Sequence, residues 1–373
     1  MRTLCLSFAC VALLSSATRA LAAEAYPEPL PIGAPAPDFS LPGVDGKDHT
    51  LAEYADAKVL VLVFTCNHCP TAQAYEERIQ GLARDYRAKG VAVLAISPND
   101  PLALRLDELG YTDVGDKLED MKIRAEEKGF DFPYLYDGET QSVSRAYGPV
   151  STPHVFIFDA ERKLRFRGRI DNGEQAEKAT EHDTRNAIEA LLSGKPVPVE
   201  TTKTMGCSTK WSGKRPTVAE AAEKWAQQEV TVALAGVEEI KGLVANDTEN
   251  LRLINVWQTT CGPCVVEFPE LVIMRQMYQT RPFELVTIST DPVAKKDQVH
   301  AFLKKNQAAM SNYHFSGDDP YKIIEAIDPQ WEGGLPYTLL VAPKGEILYR
   351  HMGGIDPLEV RRAIVAYLGR VYR

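Results

Sequence analysis

Two stretches of the sequence share one plan: an apolar run, then two cysteines separated by two residues, then an amphipathic helical pattern. They are KVLVLVFTCNHCP at 58–70 and LRLINVWQTTCGPC at 251–264. Apolar runs of this length are typical of buried strands. A cysteine at the start of the following helix lies beside unpaired N–H groups and the positive end of the helix dipole, which favours its thiolate. The second cysteine lies within disulfide range, so each stretch predicts a reversible dithiol–disulfide centre.

Predicted strands and helices alternate after each cysteine pair, and this order occurs twice along the 373 residues. Such alternation is typical of an α/β fold with a parallel core. A length near 373 residues also favours two domains, on a rough average of about 150 residues each. We therefore predict one domain at 30–200 and a second at 229–373, joined by a connecting segment at 201–228.

The N-terminus has the pattern of a secretory signal peptide over residues 1–22. Arg2 supplies the positive charge, Leu4–Leu14 the apolar segment, and Ala20–Ala22 an A-x-A cleavage site. The apolar segment is shorter than the roughly 20 residues that span a bilayer, and no other long apolar run follows. We predict an exported protein, periplasmic or otherwise outside the cytoplasm, that is soluble after cleavage and has no membrane span.

Charge and cysteine content narrow the function further. The formal net charge of −9 disfavours nucleic acid as a partner. Five cysteines remain after removal of residues 1–22, and four of them form the two pairs. Cys207 is left over: it is a candidate third redox thiol, and a buried or idle thiol is the alternative. The sequence carries no nicotinamide or flavin fingerprint, so we predict no cofactor.

Both halves resemble known families. The second half resembles the TlpA-like and ResA-like group of exported thioredoxin-fold reductases, through Asn255–Pro269 and Leu335–Thr338. The first half resembles redoxins of the alkyl hydroperoxide reductase/thiol-specific antioxidant (AhpC/TSA) superfamily, through Phe64–Pro70 and Gly206–Trp211. The resemblance implies two tandem thioredoxin-like folds, each a central mixed β-sheet flanked by helices. It also implies a cis-proline loop facing each cysteine pair.

Thiol–disulfide exchange assigns a role to each paired cysteine. Cys66 and Cys261 are the predicted nucleophiles that attack a partner disulfide, while Cys69 and Cys264 are the resolving thiols that release the product. His68 lies between the first two cysteines, where an imidazolium would lower the thiol pKa and make the pair more oxidising. A histidine there resembles the oxidising periplasmic enzymes, whereas Gly-Pro resembles reducing thioredoxin. The alternative for His68 is an exposed loop residue.

Other residues are assigned through the resemblance. Glu267 is the acidic group that tunes cysteine protonation, with an ordinary solvated carboxylate as the alternative. Thr152-Pro153 and Leu335-Pro336 are the candidate cis-proline loops, which present backbone for strand-like pairing with a substrate chain. The alternative for each proline is a trans residue that starts a strand.

Two other activities were weighed for the first half. Peroxide reduction resembles a Pro-x-x-x-Thr-x-x-Cys pattern, but Val59 and Val63 stand at those positions before Cys66, and Ile254 and Gln258 stand there before Cys261. A copper-binding or metal-delivery module is the other alternative. Its ligands would be Cys66, His68, Cys69 and His154, because thiolates with imidazole suit Cu(I).

The favoured function is thiol:disulfide oxidoreductase. The predicted partners are protein thiols and disulfides of the cell envelope, including apocytochrome c by analogy alone. A membrane-embedded or soluble thiol protein would supply or remove electrons. The direction of electron flow, exchange between the two centres and the oligomeric state stay open.

Overall fold

The computed structural model describes residues 26–317 and 319–372. The predicted signal peptide at 1–22 lies outside the described residues. Within them, the helices lack the combined length and apolarity that crossing a bilayer requires.

The first half of the chain contains nine strands and four α-helices among its described residues. In chain order they are β1 (Ser40–Pro42), β2 (Asp48–Thr50), β3 (Val59–Phe64), α1 (Pro70–Arg87), β4 (Val91–Ser97), α2 (Leu118–Lys128), β5 (Tyr134–Tyr136), α3 (Ser142–Tyr147), β6 (Ser151–Thr152), β7 (His154–Phe158), β8 (Leu164–Gly168), α4 (Asp183–Leu192) and β9 (Cys207–Ser208).

The second half contains six strands and six α-helices among its described residues. They are α5 (Arg215–Ala226), β10 (Ala233–Ala235), α6 (Val237–Ala245), β11 (Leu251–Trp257), α7 (Gly262–Met277), β12 (Phe283–Ser289), α8 (Lys296–Lys305), β13 (Ser311–Phe315), α9 (Pro320–Ile327), β14 (Tyr337–Val341), β15 (Ile347–Met352) and α10 (Pro357–Leu368).

Each half has one large mixed sheet, with the strand that leads to the cysteine pair in its interior. The strand order is β5-β4-β3-β7-β8 in the first half and β10-β13-β12-β11-β14-β15 in the second. β3 runs parallel to β4 and antiparallel to β7, and β11 runs parallel to β12 and antiparallel to β14. Every residue of β3 and β11 is buried, which explains the unbroken apolar run of β3. β11 also buries Arg252, which pairs with Glu284, and Asn255, which donates to Glu267. The predicted α/β class, with two mixed sheets flanked by helices, is confirmed.

The predicted connecting segment at 201–228 contributes to both halves. β9 pairs antiparallel with β6, with Thr152 opposite Cys207, so this part extends the first half. α5 turns toward the second half, where the Trp225 ring joins the apolar core and its indole Nε1 donates to the carbonyl of Gln307 at 2.9 Å. The domain limits themselves stay a prediction.

A loop of the first half packs against the second half through polar contacts. Tyr278 donates its hydroxyl to the carbonyl of Thr112 at 3.1 Å, and Arg281 donates to the carbonyl of Gly110 at 2.7 Å. The buried carboxylate of Asp113 accepts from both terminal nitrogens of Arg370, at 2.5 and 2.9 Å. Arg370 follows the last helix, so the end of the chain is tied to the first half.

We predict that Arg370→Ala destabilises the protein by about 2–3 kcal/mol, because the buried Asp113 carboxylate loses two charged hydrogen bonds and keeps only the longer contact with Arg362, at 3.6 Å. Urea unfolding of the mature protein measures this. Lys241→Ala is the matched control, because Lys241 pairs with Glu238 on an exposed helix face. Loss of this pair should lower the free energy of unfolding by at most about 0.5 kcal/mol. An Arg370→Ala protein that unfolds at the wild-type urea concentration would contradict the prediction.

Candidate redox centres

The first cysteine pair is buried at the tip of β3. Cys66 is 3% exposed and Cys69 is 0% exposed. α1 begins at Pro70, so Cys69 is the N-cap residue and its sulfur accepts from the Ala72 N–H at 3.4 Å. The sequence analysis placed the first sulfur, Cys66, at this helix start, and for the first half that placement is wrong. Proline lacks an N–H and is favoured at the first helical position, which moves the helix start past both cysteines.

A buried carboxylate that the sequence analysis missed holds the loop between these cysteines. Asp116 Oδ1 accepts from the backbone N–H groups of Asn67 at 3.0 Å and His68 at 3.1 Å. Asp116 Oδ2 accepts from Asn99 Nδ2 at 2.8 Å and lies 2.6 Å from His68 Nδ1. Because it lies 48 positions from His68, within a run of polar residues, no local pattern marks it out.

This contact sets the charges around the pair. Burial disfavours a charged imidazole, but the Asp116 carboxylate overcomes it and raises the pKa of His68. Burial likewise opposes a thiolate at Cys69, yet hydrogen bonds from Cys207 and Cys66 and the charge of His68 hold its pKa well below the usual value. Burial, the hydrogen bond with Cys69 and the charge of Asp116 raise the pKa of Cys66. The arrangement favours Cys69 as the thiolate. His68 is also buried, which differs from the exposed-loop alternative.

The first predicted cis-proline loop and Cys207 both lie against the first cysteine pair. The Thr152-Pro153 peptide is cis. Thr152 Oγ1 lies 3.1 Å from Cys66 Sγ, and the Thr152 carbonyl oxygen lies 3.4 Å from Cys69 Sγ. The backbone N–H of Cys207 donates to Cys69 Sγ at 3.3 Å. The structure therefore brings all of these predicted residues together, including the leftover thiol.

The second cysteine pair has a different environment. Cys261 and Cys264 form a disulfide, and Cys261 is the N-cap of α7, where its sulfur accepts from the Cys264 N–H at 3.2 Å. Cys264 is fully buried, whereas Cys261 is partly exposed. The Leu335-Pro336 peptide is cis. A groove of about 540 Å³ lies nearby: Gln258, three residues before Cys261, and Leu335, which precedes Pro336, line one part of it, and residues 290–294 line another.

Glu267 is buried one turn after Cys264, which differs from the solvated-carboxylate alternative. Its carboxylate accepts from Asn255 Nδ2 at 2.8 Å and from the Ile355 N–H at 2.9 Å. Burial raises its pKa, and these two hydrogen bonds oppose the rise only in part. Its role in cysteine protonation stays a prediction.

Only two of the four candidate metal ligands, Cys66 and His68, belong to a compact group of possible ligand atoms among the described residues. Among the described residues, ligand atoms of Cys66, His68 and Asp116 lie within 4.8 Å of one another, and Cys69 and His154 are outside that group. His154 Nδ1 instead accepts from the Val150 N–H at 3.3 Å, and burial lowers the pKa of His154 to about 3.

We predict that His68→Gln makes the first centre more reducing, because loss of the imidazolium raises the pKa of Cys69. A change of one pKa unit corresponds to about 30 mV in a two-electron couple, so the potential should become more negative by at least about 30 mV. Titration in glutathione buffers of a protein that also carries Cys261→Ser and Cys264→Ser measures the first centre alone.

His49→Gln is the matched control for that measurement. The His49 ring contacts Tyr54 and Asp45 in the region of β2. We therefore expect its replacement to leave the potential of the first centre unchanged. An identical potential in His68→Gln and the parent protein would show that His68 does not set the redox balance of the pair.

Comparison with known proteins agrees with these features. A thiol-disulfide oxidoreductase ResA from Geobacillus thermodenitrificans is 28% identical over 136 residues, covering 36% of this chain and 67% of the relative. ResA from Bacillus subtilis is 27% identical over 95 residues, covering 26% of this chain and 49% of the relative. The chain thus spans from about half to two thirds of the length of these relatives.

A hypothetical protein from Sinorhizobium meliloti, whose crystal structure is known, is 35% identical; the match covers 50% of this chain and 97% of that one, with a TM-score of 0.44. Two segments, 32–167 and 218–350, match the AhpC/TSA family. The first match agrees with the resemblance stated for the first half, and the second extends the same family to the half that resembles the TlpA/ResA group. These segments include more than half of the residues, and the chain therefore belongs to the AhpC/TSA family.

Proposed function

We propose that the protein is an exported thiol:disulfide oxidoreductase that exchanges disulfides with protein partners of the cell envelope through two centres. One observation carries the proposal: each half places a cysteine pair where a central strand leads into a helix, with one cysteine of each pair as the N-cap residue. In each half a cis-proline peptide directly precedes the strand that pairs antiparallel with the central strand, β7 in the first half and β14 in the second. The ResA relatives support the enzyme class, and the partners and the export are part of the proposal.

The second centre is the open one, meaning that its first cysteine, Cys261, is partly exposed, whereas both cysteines of the first centre are buried. In the reduced state the Cys264 N–H and the dipole of α7 stabilise a thiolate at Cys261. This thiolate attacks a partner disulfide and forms a mixed disulfide. Cys264 then attacks Cys261, so the partner leaves as a dithiol and the Cys261–Cys264 disulfide forms. The groove beside Leu335 offers space for the partner chain.

The first centre is the more oxidising one in this proposal. A stabilised Cys69 thiolate favours the reduced form of the pair, and a stabilised reduced form means a stronger oxidant. The second cysteine pair encloses Gly262 and Pro263, with no histidine between the cysteines, and this sequence resembles that of reducing thioredoxin. Electrons would therefore pass from the second, more reducing centre to the first, more oxidising one.

The test is the reduction potential of each centre in the mature protein. Replacement of Cys66 and Cys69 by serine isolates the second centre, and replacement of Cys261 and Cys264 isolates the first. We expect both to titrate reversibly between about −270 and about −120 mV, with the first centre less negative. Failure of either pair to cycle would remove that centre from the proposal, and equal potentials would remove the assigned direction.

A copper-binding first half is the second candidate, favoured by the closeness of Cys66, His68 and Asp116. However, His68 Nδ1 already contacts Asp116 and the Cys66 sulfur contacts Thr152 Oγ1, whereas His68 Nε2 has no hydrogen-bond partner among the described residues. Titration of Cu(I) against a competing chelator separates the two functions. Stoichiometric tight binding by a Cys66/Cys69 pair that does not form a disulfide would favour copper.

A further inference from the structure

The backbone edge beside Pro153 already carries a strand of this chain. β9 pairs antiparallel with β6, with Cys207 opposite Thr152 and Ser208 opposite Ser151. The cis-proline loop is the edge at which a substrate chain is expected to pair. In the first half, a segment of the protein itself takes that position, and it brings a cysteine with it.

Cys207 contacts the cysteine pair directly. Its N–H donates to Cys69 Sγ at 3.3 Å, and the two thiol groups are within hydrogen-bonding contact. Cys66, Cys69, Ala72 and Cys207 form one apolar cluster. Within this cluster Cys66 and Cys69 are buried, and Cys207 is only partly buried. A partner protein therefore meets Cys207 before it can meet either paired sulfur.

The segment around Cys207 is fixed on both sides. Gly206 has φ of 139°, and a Cβ at this position would lie 2.0 Å from the Thr152 carbonyl oxygen, so only glycine permits the approach. On the other side, the Lys210 N–H donates to Asn99 Oδ1 at 2.9 Å, and Lys210 Nζ pairs with Glu108 at 2.5 Å. Asn99 also donates to Asp116, so one network holds the pair and the segment together.

We propose that Cys207 is the thiol through which the first centre exchanges with its partners. Cys69 is then a shared sulfur that alternates between a buried disulfide with Cys66 and a more exposed disulfide with Cys207. This inference rests on the proposed function, since it assumes that the first centre exchanges disulfides.

The exchange balances as follows for a partner dithiol. A partner thiolate attacks Cys207 Sγ of the Cys69–Cys207 disulfide; a partner–Cys207 bond forms, and the Cys69–Cys207 bond breaks with Cys69 leaving as a thiolate. The second partner thiol loses its proton and attacks the partner sulfur of the mixed disulfide. Cys207 leaves as a thiolate and takes up a proton. The partner is oxidised to a disulfide, and the centre gains two electrons.

Cys66 supplies the internal step. In the absence of a partner, the Cys66 thiol gives up its proton and attacks Cys69 Sγ of the Cys69–Cys207 disulfide. The Cys66–Cys69 bond forms, Cys207 is released as a thiol after taking up a proton, and no net oxidation occurs. The reverse step, with Cys207 as the attacking thiolate, returns the disulfide to the more exposed position.

The test maps disulfides in the mature protein with Cys261→Ser and Cys264→Ser, to which Cys66→Ser, Cys69→Ser or Cys207→Ser is added. Each variant is equilibrated in glutathione buffers, alkylated and analysed by peptide mass spectrometry. We expect Cys66→Ser to form Cys69–Cys207 and Cys207→Ser to form Cys66–Cys69. In Cys69→Ser neither bond forms, and glutathione should accumulate on Cys207 at least tenfold over Cys66.

Three outcomes would overturn the inference, with different consequences. If Cys66→Ser keeps two free thiols at every glutathione ratio while Cys207→Ser still forms Cys66–Cys69, the relay is wrong and the proposed function stands. If the parent and all three variants form no disulfide in the first half, the proposed function of that centre also fails. Glutathione on Cys66 rather than Cys207 would contradict Cys207 as the entry thiol.

Gly206→Ala tests the role of the segment without removing a sulfur. Its Cβ should displace β9 from Thr152 and lower the yield of the Cys69–Cys207 disulfide in Cys66→Ser at least tenfold, while Cys66–Cys69 still forms in Cys207→Ser. Gly213→Ala is the matched control, because a Cβ there meets no atom within 4 Å. An unchanged Cys69–Cys207 yield in Gly206→Ala would show that the pairing with Thr152 does not position Cys207.

Discussion

The buried carboxylate of Asp116 is the contact on which the first centre depends. A buried charge is costly unless its hydrogen-bonding capacity is filled, and here backbone and side-chain groups of the cysteine loop and of Asn99 fill it. Despite full burial, these partners keep the pKa of Asp116 below its usual value. The carboxylate therefore fixes the loop, favours the charged form of His68 by raising its pKa and, through Asn99, ties the segment that carries Cys207 to the same place.

The two centres differ because the helix begins at a different cysteine. α7 begins directly after Cys261, so the helix dipole acts on the first and more exposed sulfur. α1 begins directly after Cys69, so the same effect falls on the second, fully buried sulfur. One motif thus gives an open centre in the second half and a closed centre in the first. In the proposed relay, the partly buried Cys207 connects the buried pair of the first half to a partner protein.

Sequence reasoning succeeded where the structure follows from local pattern. The apolar run at 58–64 predicts β3, which spans Val59–Phe64, since a strand buried on both faces leaves no room for polar alternation. The prolines at 153 and 336 were identified through family resemblance, and both follow cis peptides. The start of α1 was open to prediction from Pro70 itself, because proline at the first helical position is a common start signal.

Asp116 and the position of Cys207 were beyond that reasoning. Asp116 meets His68 only after β4 and the loop that follows it have been placed, and nothing distinguishes this carboxylate from its acidic neighbours in the sequence. Cys207 reaches Cys69 through the pairing of two-residue strands, which have no periodic pattern of their own. Resemblance marked residues 206–211 as part of the first half but assigned no contact to them.

Alkylation rates of the five cysteines test the central claim, a closed first centre beside an open second one, most directly. The mature protein is fully reduced, treated with iodoacetamide and sampled over time by peptide mass spectrometry, with urea-unfolded protein as the reference in which all five react. The account predicts that Cys261 reacts fastest, Cys207 next, and Cys66 and Cys69 at least about tenfold more slowly than Cys207, because burial restricts access to them. A Cys66 that reacts as fast as Cys261 would contradict it.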